Sequence, residues 1–498
     1  MFIIPQNYNL EFKNYIKNKI SSFSDKICDD ILDNLFNYCE EKYLKIVSKI
    51  EKSIKELILN VIKETITFFD EKFKNSKERR EKYHVNVSND IRNLKTIFGN
   101  IEIARTYYET KDRKEHFYFI DTLLTLNKYD RYDHIYKSIT IDLAIKTNQK
   151  LAGELTGNFT TSLEDKLINN TPNEVVRQTV HHWIKSWNIP WIDYPPIETE
   201  GNTIYVMGDE KYIHEQRKNE EVEYDEKGNK KKHHIMSKCW VVFSGIEQKG
   251  NRRILKDKMV FITNSDNPWQ YLLDRITKIY DFERIENIVF LSDGGRWLTS
   301  GAYDLKMYPH NKVTLCLCEF HARQKINRIT TIEIERDELN KYIDDDNKKE
   351  FIEKMKIIKE RKKDDEKRLK KLTEYENYIV NNWNKIQNMF KSECRSSMES
   401  HISHCVASYF SARPKAYSND RIENYLKLVE AKTNGIDIQK LYLKSYKNTE
   451  IITIKNEELN FSIFESSSSS NIPVISNGCN NTLLKALLDL SNGHTCII

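Results

Sequence analysis

Long apolar runs are missing from these 498 residues. None reaches the roughly 18 that a membrane-spanning helix needs, so no membrane anchor is expected. Cysteine is sparse and irregular: nine in the whole chain, with no repeated spacing. That excludes a disulfide framework and fits reduced thiols. Only Phe2-Ile3-Ile4 precede the first polar residues, so no signal peptide is expected. A large excess of one charge is also lacking, because 79 Lys and Arg face 74 Asp and Glu for a net +5. This mild basicity permits nucleic-acid binding without requiring it. A soluble, cytoplasmic chain follows, long enough for about three domains with several cores.

What is present is ordered along the chain. Ile20, Phe23, Ile27, Ile31 and Leu35 recur at steps of three and four, as do Ile46, Ile50, Ile54, Leu57 and Val61. Residues 1–90 therefore read as a helical region, either a plain hairpin or dimer-forming helices. Leu94–Phe98 and Ile101–Tyr108 alternate with period two around Gly99-Asn100, a hairpin signal. Its Arg105, Tyr107 and Tyr108 either touch a DNA backbone or belong to a small sheet capping the helices. Thr171-Pro172-Asn173-Glu174 combines a capping box with proline at the first helical position. The helix it opens carries Val176, Val180, Trp183 and Trp187 on one face and Arg177, His181 and Lys185 on another. With a short helix at about 149–157 before it, residues 91–190 read as a β-hairpin plus a helix-turn-helix-like DNA-binding region. An ordinary amphipathic helix fits the same pattern. Only nine prolines are present, and three of them crowd into Asn188–Pro196, where a domain boundary is expected.

Past that point extended runs dominate. Thr203–Asp209 is followed by Cys239–Gly245, Lys258–Thr263, a helix from Pro268 to Tyr280, Ile288–Ser292, and Lys312–Leu317. Three antiparallel strands and then alternating helices and parallel strands make an α/β, ribonuclease H-like core, with residues 200–330 as its first part. Residues 331–392 are dense in charge but keep helical spacing, as an all-α insertion would. Residues 393–450 complete the core. The tail, 451–498, holds the serine run Ser466–Ser470 and one short helix near Thr482–Leu488.

Three acids stand out. Asp209 and Asp293 end extended runs, and Glu399 heads a later helix. Carboxylates at strand ends, joined by one from a helix, are what a fold supplies to hold two Mg²⁺ ions over a phosphodiester. Glu210 rivals Asp209, since a one-residue slip of the strand exchanges their faces. Cys318-Glu-Phe-His321 follows the last strand. A zinc site from Cys316, Cys318 and His321 would lack a fourth ligand. His401 and His404 share the Glu399 helix and either contact DNA, organise the metals or pack. Lys230, Lys231 and Lys232 lie in the loop after the Asp209 strand, and Arg413 follows the Glu399 helix. These basic residues read as solvated loops or as phosphate contacts around one site.

In this order the motifs resemble those of bacterial insertion-sequence transposases of the ISLre type, relatives of the Mutator-like group. The resemblance covers most of the chain and rests on Lys95-Thr-Ile-Phe-Gly99, Asp209-Glu210, Asp293-Gly294, the His321 region and Glu399-Ser-His401-Ile-Ser-His404. Ser411-Ala-Arg413-Pro414 is similar to that family's Ser-Ser-Arg-Pro. Cys318 departs from the Asp usual in the nearer relatives while matching the wider group. The resemblance implies an acidic-triad transposase that cleaves transposon ends and transfers strands into target DNA. Asp209 is then expected to bridge two Mg²⁺ ions (Mn²⁺ as a substitute), with Asp293 and Glu399 each holding one and His321 assisting. It also implies double-stranded DNA partners, namely terminal repeats and target. A homodimer or higher oligomer at the nucleoid is expected with them. A derived DNA-binding protein without catalysis is the alternative. A stand-alone nuclease leaves the large N-terminal region without a purpose.

Overall fold

Two long helices open the chain, α1 (Gln6–Phe36) and α2 (Lys42–Asn75), as their apolar spacing requires. The structure is a computed structural model that describes residues 6–36, 42–162, 174–217, 223–224, 226, 231–394, 400–401, 403–410 and 416–446. The short α3 (Lys77–Lys82) is capped by the Ser76 hydroxyl on the Arg79 amide. Then come β1 (Tyr83–Thr96), β2 (Gly99–Thr110), β3 (His116–Tyr118) and α4 (Phe119–Leu123). The strands form one antiparallel sheet in sequence order. Ile66 and Phe73 of α2 pack on Leu94, Ile101, Ile103, Tyr108 and Phe119. The Phe73 and Phe119 rings stack 4.0 Å apart.

The hairpin differs from expectation in two ways. Its turn is Ile97-Phe98 rather than Gly99-Asn100, because Thr96 pairs with Gly99 and its hydroxyl accepts from the Phe98 amide. Gly99 itself sits at φ +138°, in the glycine-favouring region. Arg105 is buried, bonded to Asp121 at 2.5 Å and Asp90 at 2.7 Å, and Tyr108 is fully buried. Neither can reach a DNA backbone. The capping-sheet reading holds for these two residues.

The next helices are α5 (His134–Lys146), α6 (Gln149–Thr160) and α7 (Arg177–Ser186). The capping box was expected to start α7 at Pro172, but the helix begins at Arg177, and Thr171–Asn173 lie outside the described residues. The physical reason is a close crossing. The Val175 carbonyl lies 2.0 Å from where a Cβ on Gly153 would stand, so Glu174–Val176 run extended against α6. Val176 consequently points outward while Val180, Trp183 and Trp187 are buried.

The proline-rich stretch is packed rather than a free linker. Ile189, Ile192 and Tyr194 are buried in the same core as the sheet, because they alternate with the outward residues between the prolines. That core runs without a break from Tyr136 to Tyr442.

The central sheet comprises β4 (Thr203–His214), β5 (His234–Phe243) and β8 (Met259–Thr263), then β9 (Asn287–Ser292) and β10 (Lys312–Leu317). The small hairpin β6 (Gly245–Lys249) and β7 (Arg252–Lys256) stands apart from it. Strand order is β10-β9-β4-β5-β8, with β4-β5 and β5-β8 antiparallel and β4-β9 and β9-β10 parallel. Ile204–Met207 are all buried, the pattern of a strand covered on both faces. β4 runs five residues past Asp209, which therefore sits within the strand rather than at its end.

Helices α8 (Pro268–Ile279) and α9 (Arg296–Gly301) connect these strands, and α10 (Glu319–Ile329) leaves β10. The charged segment forms α11 (Glu333–Asp344), α12 (Lys348–Glu360), α13 (Glu366–Asn381) and α14 (Trp383–Lys391). Leu339, Phe351, Leu372 and Ile386 of these helices join the sheet's core. Asn388 on α14 also donates to the Leu315 carbonyl of β10 at 3.1 Å.

Beyond a widened helical turn at Ser403–Ala407 lie α15 (Asn419–Thr433) and α16 (Ile438–Ser445). α15 covers the open edge of β8, a position that would otherwise present unpaired backbone groups. Asn434, just past α15, accepts from the Val260 amide at 2.8 Å and donates to its carbonyl at 2.7 Å. Glu430 accepts from the Ile262 amide at 2.8 Å.

Candidate functional site

The parallel register of β4 and β9 brings the first two acids together. Met207 is opposite Leu291, and each acid lies two residues further on. Continuing that register puts Asp293, the first residue past the end of β9, level with Asp209 within β4, on neighbouring strand paths about 4.8 Å apart. Both are half-buried. In each, Oδ1 accepts from a nearby backbone amide, Glu210 at 2.7 Å and Gly295 at 2.8 Å, which fixes the carboxylate's orientation.

His321, in the first turn of α10, is close enough to both acids to feel their charges. Its imidazole is held above the usual range, first by its hydrogen bond with Cys318 and then by the charges of Cys318, Asp209 and Asp293, with burial opposing. Cys318 is buried at the start of that helix. Cys316 is buried as well, and its thiol is pushed up to about 12 by that burial. Among the described residues, no group of three His, Cys, Asp or Glu side chains could hold a metal ion.

Glu210 points to the other face. Trp297 Nε1 donates to its Oε1, and the Tyr212 hydroxyl donates to its Oε2 at 2.7 Å, so both oxygens are engaged.

Glu399, Lys230 and Arg413 lie outside the described residues. His404 is exposed, while His401 is half-buried and pushed down to about 4 by burial, with Lys258 and His404 adding to it. His401 lines a cavity of about 370 Å³ with Arg253 and Lys258. Lys231 and Lys232 are exposed beyond the His214–His234 pair, about 17 Å along the strand from Asp209. Lys231 is also partnered by Glu223 at 3.3 Å. Arg177 and Lys185 are exposed on α7, and His181 approaches Gln149 at 3.2 Å. No described contact joins these α7 side chains to the acid pair. A cavity of about 1100 Å³ lies between Trp191, Asn264 and Lys427, and neither acid lines it.

Two residues beside the Asp293 turn were missed in the sequence, and both come from the charged helical segment. The Tyr378 hydroxyl donates to the Asp293 carbonyl at 2.5 Å. Asn382 packs on the following glycine. Gly294 has φ +88°, and a Cβ there would lie 2.9 Å from Leu317 Cδ1 and 3.3 Å from Asn382 Oδ1. A Tyr inside a charged helical segment carries no spacing that would flag this role. Gly294→Ala should therefore cost roughly 1–2 kcal/mol for the backbone conformation alone, read as a lower midpoint in urea. A midpoint equal to the parent's would mean that the turn relaxes freely.

The fold and site thus define an α/β protein with one carboxylate within a central strand, another just past the end of the parallel neighbouring strand, and a histidine nearby. The chain belongs to the uncharacterised protein family UPF0236, whose profile matches residues 32–447. Among its relatives is a UPF0236 protein of Caldanaerobacter subterraneus subsp. tengcongensis, 25% identical over 433 residues, 85% of this chain and 83% of the relative. Its name joins eleven locus designations. A second from the same organism joins four and is 25% identical over 442 residues, 84% of this chain and 87% of the relative. Among the described residues no helix is long and apolar enough to cross a membrane.

Proposed function

We propose that the chain is a DNA transposase that cleaves transposon ends and transfers the strands to target DNA on a ribonuclease H-like core. The observation carrying this reading is the level placement of Asp209 within β4 and Asp293 just past β9, with His321 close enough to feel both charges. The sheet order, three antiparallel strands followed by two parallel ones, supports the fold part. A name that joins eleven loci supports mobility, since a sequence repeated around one genome is what a transposing element leaves.

The donor chemistry fits divalent metal: two hard carboxylates at the same level of neighbouring strand paths, each already oriented by a backbone amide. Asp209 and Asp293, with Glu399 as the third acid, would hold two Mg²⁺ ions or Mn²⁺ in their place. Bound there, the ions would activate the attacking oxygen and stabilise the leaving one. The chain's own contribution is orientation and charge. Tyr378 fixes the backbone at Asp293. His321, beside the two acids, offers a ring N–H donor to a phosphate oxygen. Partners in this reading are double-stranded DNA and a second copy of the chain, with a place at the nucleoid.

The alternative is a DNA-binding protein derived from such an enzyme, without catalysis. One observation favours it: the cations Arg177 and Lys185 are exposed on α7, where contact with DNA needs no metal. One experiment separates the readings. The full chain is incubated with Mg²⁺ or Mn²⁺ and DNA carrying the flanks of its own gene. Strand breaks at the element's ends are expected. Tight binding without breaks in either metal would select the alternative.

A further inference from the structure

Two half-buried lysines stand beside the Asp293 turn, and neither has a part in the proposed chemistry. Lys325 is one helical turn beyond His321 on α10, with its ammonium 5.1 Å from the Tyr378 ring centre and 5.8 Å from that of Tyr375. Tyr378 is the residue whose hydroxyl holds the Asp293 carbonyl. Lys385, on α14, donates to Asn382 Oδ1 at 3.0 Å, the atom lying 3.3 Å from a Cβ on Gly294. Each ammonium is thus one side chain removed from Asp293-Gly294, and the two approach it from different helices.

Neither has a carboxylate partner among the described residues. By contrast, the half-buried Lys354 and Lys359 of α12 are paired with glutamates. A half-buried ammonium without a counter-charge carries a desolvation cost. Burial lowers Lys385, and among the described residues its neutral partner Asn382 brings no counter-charge. An arriving anion would supply one, and the two aromatic rings beside Lys325 stabilise its charge without neutralising it.

We propose that Lys325 and Lys385 form a phosphate-binding site on the rim of the Asp209–Asp293 pair, gripping the DNA backbone next to the phosphodiester the carboxylates serve. This rests on the proposed transposase function and gives the inserted helices a part in substrate binding. Lysine suits the task, because a point charge on a flexible stem follows a backbone phosphate without reading a base.

The test is binding of the full chain to short DNA duplexes of two unrelated sequences, followed by fluorescence anisotropy in EDTA over a series of salt concentrations. Lys325→Ala and Lys385→Ala are each expected to reduce the slope of log affinity against log salt by about 0.9. The loss should be equal on both sequences, as for a backbone contact. Lys385→Gln, which keeps the bond to Asn382 within reach, should behave like the alanine variant. Lys325→Arg and Lys385→Arg should restore the slope, which a merely structural role would not do. A steep slope in the parent that is unchanged in the folded variants would overturn this site and leave the function standing. A parent chain with no salt-dependent DNA binding would remove the function and this site together.

Discussion

Asp293→Asn is expected to abolish metal-dependent strand cleavage while leaving DNA affinity within a few-fold of the parent. The substitution is close to isosteric. An amide oxygen can still accept from the Gly295 amide, as Asp293 Oδ1 does at 2.8 Å, so the turn keeps its shape. The Tyr378 bond goes to the main chain and is untouched. What disappears is one of two level negative charges. If metal charge at the reacting phosphate supplies several kcal/mol, losing about 4 kcal/mol would slow cleavage roughly 10³-fold. Affinity depends on cations elsewhere and should persist. The measurement pairs cleavage of labelled transposon-end DNA with anisotropy on the same DNA. Cleavage within about threefold of the parent would exclude Asp293 from the chemistry. Affinity lost together with cleavage in a folded variant would make the residue structural.

Much of the sheet was legible because buried strands leave a simple trace. Ile204–Met207, Ile288–Ser292 and Lys312–Leu317 are short, mostly apolar runs bounded by polar residues, and they became β4, β9 and β10. Their closeness to one another was not written in any single run. The level placement of Asp209 and Asp293 follows from the β4–β9 register, which is a long-range property. Local signals misled where a tertiary contact outweighed them. The capping box at Thr171 is a sound start signal, yet Val175 is held against Gly153 and the helix begins at Arg177. Prolines between 188 and 196 read as a boundary, although the apolar residues among them alternate into the core. For Arg105 the sequence left a DNA-backbone contact and a place in a capping sheet equally open. Its two aspartate partners, Asp90 and Asp121, are 15 and 16 residues away and invisible to a local reading. Tyr378 and Asn382 were illegible for the same reason, since their role depends on how the inserted helices fold back over the Asp293 turn.

Glu430→Ala is expected to destabilise the fold more than any substitution at the acid pair or its turn. Its carboxylate is 1% exposed and lies where α15 closes the edge of β8. Four donors converge on it: the Ile262 amide at 2.8 Å, the Tyr271 hydroxyl at 2.7 Å, the Tyr194 hydroxyl at 3.1 Å and Arg275 Nε at 3.2 Å. Arg275 is itself buried, with its guanidinium 3.6 Å from the Tyr271 ring centre and 4.3 Å from that of Trp191. Truncating Glu430 leaves that cation in the interior without a counter-charge, which typically costs about 3–5 kcal/mol. The Ile262 amide is orphaned as well, adding a desolvation penalty of about 1–3 kcal/mol. Glu430→Gln keeps an acceptor for Ile262 but not the charge, so it should fall between Ala and the parent. Replacing Arg275 and Glu430 together by Met and Leu removes the unpaired ion and should recover part of the loss, though the orphaned amide remains. Equilibrium urea unfolding of the parent and these three variants gives the order directly. An alanine variant within about 1 kcal/mol of the parent would mean that water or a rearranged Arg275 replaces the carboxylate. The consequence reaches the site, because β8 pairs with β5, and β5 in turn pairs with β4 beside Asp209. In a variant whose sheet edge opens, cleavage should fall as the folded fraction falls, with no change in the metal requirement of the molecules that remain folded.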